Sequence, residues 1–493
     1  MVPEVMRASE LIRGLPIESL EKDFEITGVT HDSRKVRDGD LFVALVGDRF
    51  DGRAFVAEAK ARGAAGVLSV GNPPAEYDGP WLRAGDPRAA MGLLAARLHQ
   101  HPDRNLVMVG ITGTNGKSTV LALVAAMLES AGHSTGTIGT LGHRFGNLEI
   151  EAGRTTPEAT DLYPLLHDIV ERGGHAVVME VSSHALALER AAGLGFDVAA
   201  FTNLSRDHFD FHRGFEDYYA AKRRLFDQLK PGGRAVLNRD DPYGRRLVAD
   251  LEARSVAVIT FGERDADVSV VGATVTIEGI RATLETPRGE LAVASRLLGH
   301  FNLLNLLAAV ACGEALELDR GAIIEGVRRL GPVAGRLEAV DCGQPFPVFV
   351  DFAHTDAALA ASLGSLREIA SGRKIVCVFG CGGDRDPGKR VLMGRVVGEL
   401  ADLPIVTSDN PRHEDPMAII AAVDQGLEQS GNEAYRVVPD RREAIARAVA
   451  IADEGWLVVV AGKGHEEGQI IGDEVRPFSD RDELIAALEA RFG

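Results

Sequence analysis

The stretch GTNGKST has the residue types that hold phosphate. It comprises Gly113, Thr114, Asn115, Gly116, Lys117, Ser118 and Thr119, between an apolar run and a helical pattern. Backbone N–H groups at such a helix start cradle phosphate oxygens, the lysine meets the outer phosphates and the hydroxyl binds Mg²⁺. The spacing departs from the general G-x-x-x-x-G-K-[ST] pattern, which calls for glycine at Ile111. We expect a triphosphate site, and a chance glycine turn is the weaker interpretation.

Acidic and imidazole groups follow the next two apolar runs. Glu180 ends AVVME and is suited to hold a magnesium ion opposite the phosphate loop, although alone it is equally an ordinary strand-end carboxylate. The segment SRDHFDFH offers Asp207, His208, Asp210 and His212. Zinc is a competitor, but no third strong ligand set follows at zinc spacing, so we favour a magnesium role for His208.

Lys222 falls in the middle of an apolar helical stripe. In the segment 215–233, predicted to be one helix, apolar residues recur every three or four positions around it. A partly buried ammonium tends to lose its proton, and the neutral amine can capture CO₂ as a carbamate that binds magnesium. From spacing alone, a lysine that lays its stem on the apolar surface is the more ordinary interpretation.

The elements that position these groups follow from an alternation of short apolar runs and helical patterns after residue 106. This predicts an α/β fold with largely parallel sheets, in which ligands bind beyond the carboxyl ends of the strands. Those ends carry Glu180, Asp351, GCGGDRD, SDNPRHE and GKGHE. We therefore expect two ligand-binding sheets that face a shared cleft. The Val/Thr alternation of residues 267–293 predicts an antiparallel ribbon instead.

Length and composition agree with a multidomain enzyme. The 493 residues suggest about three domains, and seams at Gln100–Asn105 and Gly331–Gly335 divide the chain into 1–103, 104–332 and 333–493. A net charge of −18 opposes loose binding to nucleic acid or anionic lipid. The sequence shows neither a membrane-length apolar run nor a secretory signal, and its four cysteines fit a reducing cytoplasm. We expect Cys377 and Cys381 to pack in a core.

These motifs together resemble the Mur ligase family, the ATP-dependent amide ligases of bacterial peptidoglycan precursor synthesis. GTNGKST is that family's form of the phosphate loop, and the resemblance covers nearly the whole chain. It continues through TTP (155–157), EVSSHAL (180–186), FTNLSRDHFDFH (201–212), YYAAK (218–222), LGHFNLLN (298–305), GR (335–336) and DFAHT (351–355). It implies a UDP-sugar-binding first domain, a central P-loop ATPase sheet and a carboxyl-terminal, Rossmann-like amino-acid-binding sheet.

Within the family, DNPRHE is similar to the motif of members that add meso-diaminopimelate. Lysine-adding members lack the arginine, and Arg412 can pair with the second carboxylate that distinguishes diaminopimelate from lysine. By the same resemblance the amino-acid site comprises Arg385, Asp409, Asn410, Pro411, Arg412, Gly462 and Glu466. Glu466 would accept from the substrate ammonium.

The resemblance assigns the remaining roles residue by residue. Ser118, Glu180 and His208 would bind Mg²⁺, Lys222 would be carbamylated, and Lys117 would contact the transferred phosphate. Asn302, Arg336 and Asp351 would contact the ATP. The nucleotide-sugar substrate would be held by His31, Ser33, Asp48, Arg49, Phe50, Thr155, Thr156, Ser182 and Arg190. Two positions depart from the family: DFAHT lacks the usual following proline, and Leu188 replaces a glutamine that hydrogen-bonds the substrate.

The implied reaction joins meso-diaminopimelate to UDP-N-acetylmuramoyl-L-alanyl-D-glutamate through an acyl phosphate. It implies ATP and Mg²⁺ as cofactors, small-molecule substrates, a cytoplasmic monomer, and a part in cell-wall biogenesis, cell shape and division. We expect the third domain to close over the cleft about Gly331–Gly335, and His354 and Asp351 are candidate proton acceptors. The alternatives are a lysine-adding, D-alanyl-D-alanine-adding or folylpolyglutamate-forming sister ligase, a phosphotransferase or motor NTPase, and a non-enzymatic nucleotide-binding protein.

Overall fold

The three largest sheets follow one another along the chain, one in each predicted segment. The structure is a computed structural model that describes residues 5–19, 23–47 and 51–493. The mixed α/β class is confirmed, whereas the boundaries after residues 103 and 332 stay predictions. Within the described ranges, no helix is long and apolar enough to cross a membrane.

The first segment is built on a five-stranded sheet. Its elements are β1 (Met6–Arg7), α1 (Ala8–Leu11), β2 (Ile17–Ser19), β3 (Glu25–Ile26), β4 (Gly28–Thr30), β5 (Asp40–Val43), α2 (Val56–Ala61), β6 (Gly66–Ser69), β7 (Trp81–Ala84) and α3 (Pro87–Leu98). The strand order is β2-β7-β6-β5-β4, parallel except for β2. Helix α3 begins after Asp86, whose side chain caps it by accepting from the N–H groups of Arg88 and Ala89. Pro87 is the first helical residue and has no N–H that would need a partner.

The second segment holds the largest sheet. Its elements are β8 (Val107–Thr112), α4 (Lys117–Ser130), β9 (Thr135–Gly139), β10 (Gly142–Phe145), β11 (Leu148–Ile150), α5 (Ala159–Glu171), β12 (Ala176–Glu180), α6 (Ser183–Ala187), β13 (Phe196–Phe201), α7 (Phe215–Arg223), β14 (Leu229–Asn238), α8 (Pro242–Ala253), β15 (Ala257–Phe261), β16 (Ser269–Thr276), β17 (Gly279–Glu285), β18 (Leu291–Ser295), α9 (His300–Ala315) and α10 (Arg320–Arg329).

Strand order in that sheet is β11-β10-β9-β12-β8-β13-β14-β15, with only the β9-β10-β11 edge antiparallel. The central strands are buried on both faces, which explains their continuous apolar runs. Strands β16 to β18 form a separate antiparallel sheet, so the predicted ribbon is confirmed. The single helix predicted over 215–233 is wrong at its end. Helix α7 stops at Arg223, a 3₁₀ turn follows, and Leu229 already pairs with Phe196 of β13.

The third segment carries a six-stranded sheet in the order β19-β20-β24-β21-β22-β23, parallel except for β19. Its elements are β19 (Glu338–Ala339), β20 (Val348–Asp351), α11 (Asp356–Ile369), β21 (Lys374–Phe379), α12 (Lys389–Leu400), β22 (Leu403–Val406), α13 (Pro416–Ser430), β23 (Arg436–Val437), α14 (Arg441–Ile451), β24 (Trp456–Ala461), β25 (Gly468–Ile471), β26 (Glu474–Pro477) and α15 (Asp480–Phe492). Cys377 and Cys381 are buried and unpaired in its core, as predicted.

Candidate active site

The phosphate loop joins β8 to α4. Gly116 has φ 87°, and a side chain there would overlap the Asn305 amide, so only glycine fits this turn. Lys117 folds back over the loop and its Nζ donates to the carbonyl oxygens of Gly113 (3.1 Å) and Thr114 (2.9 Å). Burial lowers the pKa of Lys117. The N–H groups of Thr114 and Asn115 donate to Asn203. The helix start from Gly116 onward and the Lys117 ammonium are therefore the groups of this loop suited to a phosphate chain.

A cavity of about 160 Å³ adjoins this loop and reaches the third segment. It is lined by polar groups of the loop and of α9, and by Arg336, Asp351 and Phe352. The Arg336 guanidinium lies 4.6 Å from the Phe352 ring centroid, and its Nη2 donates to Ser118 Oγ at 3.2 Å. Asparagine side chains and the rings of Phe261 and Phe301 also line the cavity, and this mixture of amide and aromatic groups beside a phosphate loop suits a nucleoside. Asn302 does not line this cavity, because its amide donates to Leu298 O and accepts from Asn305, which does.

Glu180 at the end of β12 faces the phosphate loop. Its Oε1 accepts from Ser118 Oγ (2.9 Å) and from Thr140 N (3.0 Å), and its Oε2 accepts from Thr140 Oγ1 (3.1 Å). The side chain is buried. A buried carboxylate and a hydroxyl therefore meet beside the loop, and oxygen donors of this kind suit Mg²⁺.

Lys222 is only 1% exposed, which excludes the solvent-reaching interpretation. Its Nζ lies 4.4 Å from the Tyr218 ring centroid, and the Tyr218 hydroxyl lies 3.2 Å from Thr114 Oγ1, so α7 brings the lysine to the phosphate loop. Burial lowers the pKa of Lys222 well below its usual value, the Lys117 charge lowers it further and Asp207 opposes both. The amine therefore loses its proton far more readily than an ordinary lysine.

The two histidines of SRDHFDFH both flank the His184 ring, at centroid distances of 4.7 Å for His208 and 5.7 Å for His212, but they face different polar partners. His208 Nε2 lies 3.3 Å from the Asp207 carboxylate, and burial lowers the His208 pKa to about 3, which leaves the imidazole neutral and able to bind a metal. His212 is turned instead to Ser183 Oγ at 3.0 Å, and Asp210 is exposed. Among the described residues, no three His, Cys, Asp or Glu side chains form a metal-holding group.

The amine-binding candidates gather at the carboxyl ends of β21, β22 and β24. Asn410 Nδ2 donates to Glu466 Oε2 at 2.9 Å, while its Oδ1 accepts from Lys463 Nζ at 2.9 Å. Lys463 also lies 3.1 Å from Glu466 and is fully buried. These three side chains hold one another in a fixed orientation, and the other oxygen of Glu466 remains for a ligand ammonium.

Two arginines stand beside that group. Arg412 has φ 52° and its Nη1 donates to Gly383 O at 2.8 Å, while Arg385 is exposed and donates to Asp384 O. Burial and the positive charge of Arg385 both lower the pKa of Arg412. The two guanidinium charges repel each other, so an anion placed between them would be stabilised by both. Asp409, Pro411 and Gly462 are buried.

A larger cavity of about 1640 Å³ lies between the first and second segments and is lined by His31, Ser33 and Glu158. Arg190 pairs with Glu158 at 2.8 Å and donates to Thr156 O, and Thr156 Oγ1 donates to Glu180 O at 2.9 Å. Thr155 and Ser182 hydrogen-bond within the same group. These contacts run from the cavity to the phosphate loop. Asp48, Arg49 and Phe50 lie outside the described residues.

Family models match all three segments. They describe the Mur ligase family catalytic domain (residues 25–95), the Mur ligase middle domain (111–313) and the Mur ligase glutamate ligase domain (335–464). The UDP-N-acetylmuramoyl-L-alanyl-D-glutamate--2,6-diaminopimelate ligase of Geobacter metallireducens is 46% identical over 486 residues, 94% of each chain. The chain belongs to the Mur ligase family.

Further relatives agree. The ligase of the same name from Streptomyces coelicolor is 46% identical and covers 98% of this chain and 97% of its own. A solved structure of a ligase of that name superposes with a TM-score of 0.70 at 34% identity, covering 99% of this chain and 100% of that one. Thr355 caps α11 by accepting from Ala358 N, without the usual proline of the Mur ligase motif.

Sequence reasoning missed several residues of the Mur ligase cleft. Lys463 was not singled out, although it is buried beside Asn410 and Glu466. Asn305, His465 and the Arg206–Asp386 ion pair were missed as well. The lysine in GKGHE was the available signal, because a lysine directly after a buried apolar strand must have a partner. Nothing in the spacing pointed to the ion pair.

Proposed function

We propose that this Mur ligase joins meso-diaminopimelate to UDP-N-acetylmuramoyl-L-alanyl-D-glutamate with the breakdown of ATP to ADP and phosphate. The choice of diaminopimelate as the amine rests on one observation, the pair of guanidiniums of Arg412 and Arg385 beside the Asn410–Glu466 group. Diaminopimelate has an ammonium and a carboxylate at each end. Glu466 suits one ammonium and Arg412 suits the far carboxylate, which lysine lacks.

The triphosphate would lie on the phosphate loop with its nucleoside in the cavity beside Arg336 and Asp351. Lys117 would exchange its two carbonyl contacts for phosphate oxygens, so its charge is already placed where negative charge accumulates. The nucleotide-sugar substrate would occupy the cavity lined by His31 and Ser33, with its D-glutamate end directed along the Arg190–Thr156 contacts toward the loop.

The donors fit Mg²⁺. Ser118 and Glu180 supply oxygens, His208 is neutral, and a carbamate on the buried Lys222 would add two more oxygens. The scarcity of protein ligands also fits, because Mg²⁺ keeps waters and substrate phosphates in its shell. When bound there, the ion would neutralise charge on the phosphoryl oxygens.

An amide does not form from a carboxylate and an ammonium in water, because the carboxylate is a poor electrophile. The D-glutamate carboxylate would attack the γ-phosphorus of ATP, and ADP would leave. The neutral amine of diaminopimelate would then attack the acyl phosphate and expel phosphate. Asp351 is fully engaged with Leu337 N, Ala353 N and Ser362 Oγ, so His354 is the better proton acceptor of the two candidates. Burial lowers the His354 pKa and keeps it unprotonated.

We also propose a monomer that acts in the cytoplasm, where ATP is made and its four free cysteines stay reduced. The test of the reaction uses the nucleotide-dipeptide labelled with ¹⁸O in its D-glutamate carboxylate, together with ATP and each amine. One ¹⁸O should appear in the released phosphate for each amide formed. Unlabelled phosphate, or equal use of lysine or D-alanyl-D-alanine, would contradict the proposal. Phosphate release without either substrate would indicate a motor or simple NTPase.

A further inference from the structure

An ion pair crosses the cleft between the second and third segments. Arg206 lies in the loop between β13 and α7, and Asp386 lies 180 residues later in the loop between β21 and α12. Arg206 Nε donates to Asp386 Oδ2 at 3.0 Å and Nη2 donates to Oδ1 at 3.3 Å. This two-pronged geometry is the strongest form of an arginine–carboxylate contact.

The surroundings are shaped to this pair. The Asp386 side chain is 8% exposed and that of Arg206 is 34% exposed, so water screens the contact less than it screens a surface pair. The Arg206 guanidinium also lies 5.0 Å from the Phe209 ring centroid. Gly388 leaves room for it, because a Cβ at that position would overlap Arg206 Nη2. Asp386 Oδ1 accepts from Gly388 N at 2.8 Å as well, which fixes the carboxylate.

Each partner adjoins one half of the proposed reaction. Asp207 and His208 directly follow Arg206 and stand on the phosphate side, whereas Arg385 directly precedes Asp386 and stands on the amine side. A contact between these two loops therefore sets the distance between the two reactants. It is available only when the third segment lies over the second.

We propose that Arg206 and Asp386 form a latch that holds the amine-binding loop over the phosphate loop while the acyl phosphate exists. The latch is a positioning device, and it rests on the proposed ligase function. Water competes with the amine for the acyl phosphate, and each attack by water releases phosphate without forming an amide. An enzyme without the latch should open more often, so it should lose its intermediate to hydrolysis.

The test measures phosphate released per amide formed, with ATP, the nucleotide-dipeptide and meso-diaminopimelate, and phosphate release with the amine omitted. Arg206→Ala and Asp386→Asn should each raise the ratio of phosphate to amide from about one to roughly three to ten. An increase of this size corresponds to the loss of one arginine–carboxylate contact. Asparagine keeps an oxygen for Gly388 N, so the loop retains its fold. The KM for ATP should not change in either variant, and Asp386→Asn, which leaves no unpaired buried carboxylate, should keep the Tm.

Three further variants sharpen the test. Gly388→Ala keeps both charged residues but displaces the guanidinium, and its helical backbone accepts alanine, so it should uncouple the reaction too. The Arg206→Ala/Asp386→Asn double variant should be no worse than either single one. Arg395→Ala, which breaks an exposed pair with Glu399 within α12, should leave the ratio at one.

The latch is refuted if Arg206→Ala and Asp386→Asn keep a ratio of one, or if their effects multiply in the double variant. A wild-type enzyme that forms no amide from diaminopimelate overturns the proposed function instead, so the two failures are distinguishable.

Discussion

Replacement of Arg412 by asparagine should move the choice of amine from diaminopimelate toward lysine. The position has φ 52°, a left-handed conformation that asparagine tolerates better than alanine does. The main chain of residue 412 is held independently of the side chain, since its N–H donates to Ile470 O at 3.0 Å and its carbonyl accepts from Gly472 N at 2.7 Å. The substitution should therefore remove the guanidinium and leave the loop in place.

The magnitude follows from what the guanidinium offers. One of its nitrogens, Nη1, is engaged with Gly383 O, and the side chain is half-buried beside Arg385. A charge-assisted hydrogen bond to a carboxylate contributes about 1.5–3 kcal/mol. The expected loss in kcat/KM for diaminopimelate is thus roughly tenfold to 150-fold. Lysine has no far carboxylate, so its kcat/KM should change little.

The assay is a competition between the two amines in one tube, with ATP and the nucleotide-dipeptide, read as the ratio of the two amide products by mass spectrometry. Arg476→Ala is the matched control, because it removes an arginine from an exposed pair with Glu474 on the neighbouring hairpin. The product ratio should change in Arg412→Asn alone. An equal loss for both amines, or a parallel rise in the KM for ATP, would show that Arg412 supports the fold and does not select the amine.

Three further outcomes are expected. Lys222→Ala should lose about a hundredfold or more in turnover and regain part of it with short carboxylic acids, whereas full activity without them would remove the carbamate role. Lys463→Met should raise the KM for diaminopimelate about tenfold and leave the KM for ATP unchanged in steady-state kinetics, because Asn410 would lose its buried donor. His413 bridges Asp384 (2.7 Å) and Asp473 (3.2 Å), and these hydrogen bonds raise its pKa. Its charged form is thus favoured in the folded state, so the bridge is complete below the ordinary pKa and is lost as pH rises through the raised one. NMR titration should show the raised pKa of His413. The KM for diaminopimelate should change as the pH passes through that pKa, and in His413→Gln this change should be absent.

Local chemistry made much of the second segment predictable. The phosphate loop, the strand-end position of Glu180 and the β16–β18 ribbon each depend on a few neighbouring residues. The end of α7 was not predictable in this way, since the pairing of Leu229 with Phe196 overrides an apolar period that continues past Arg223. Tertiary pairing decides such boundaries, and it leaves no mark on local periodicity.

Contacts between distant loops were beyond sequence patterns for the same reason. Arg206 and Asp386 are each ordinary loop residues, and only the folded cleft brings them together. Lys463 differs, because its place after the apolar run of β24 already required a buried partner. Spacing could not identify that partner as Asn410, 53 positions earlier.

The protein is acidic overall and yet its cleft is suited to anions, and both are possible because the cations of the cleft are buried. A net charge of −18 repels polyanions, whose many phosphates would meet the whole surface. Lys117 and Arg336 each have a pKa lowered first by burial, which means that their charges lack water and are stabilised by any anion that fits. Such groups attract an anion only within a few ångströms. We therefore expect the cleft to select small anions of the right shape, a triphosphate on one side and a carboxylate on the other, and the acidic surface to disfavour nucleic acid.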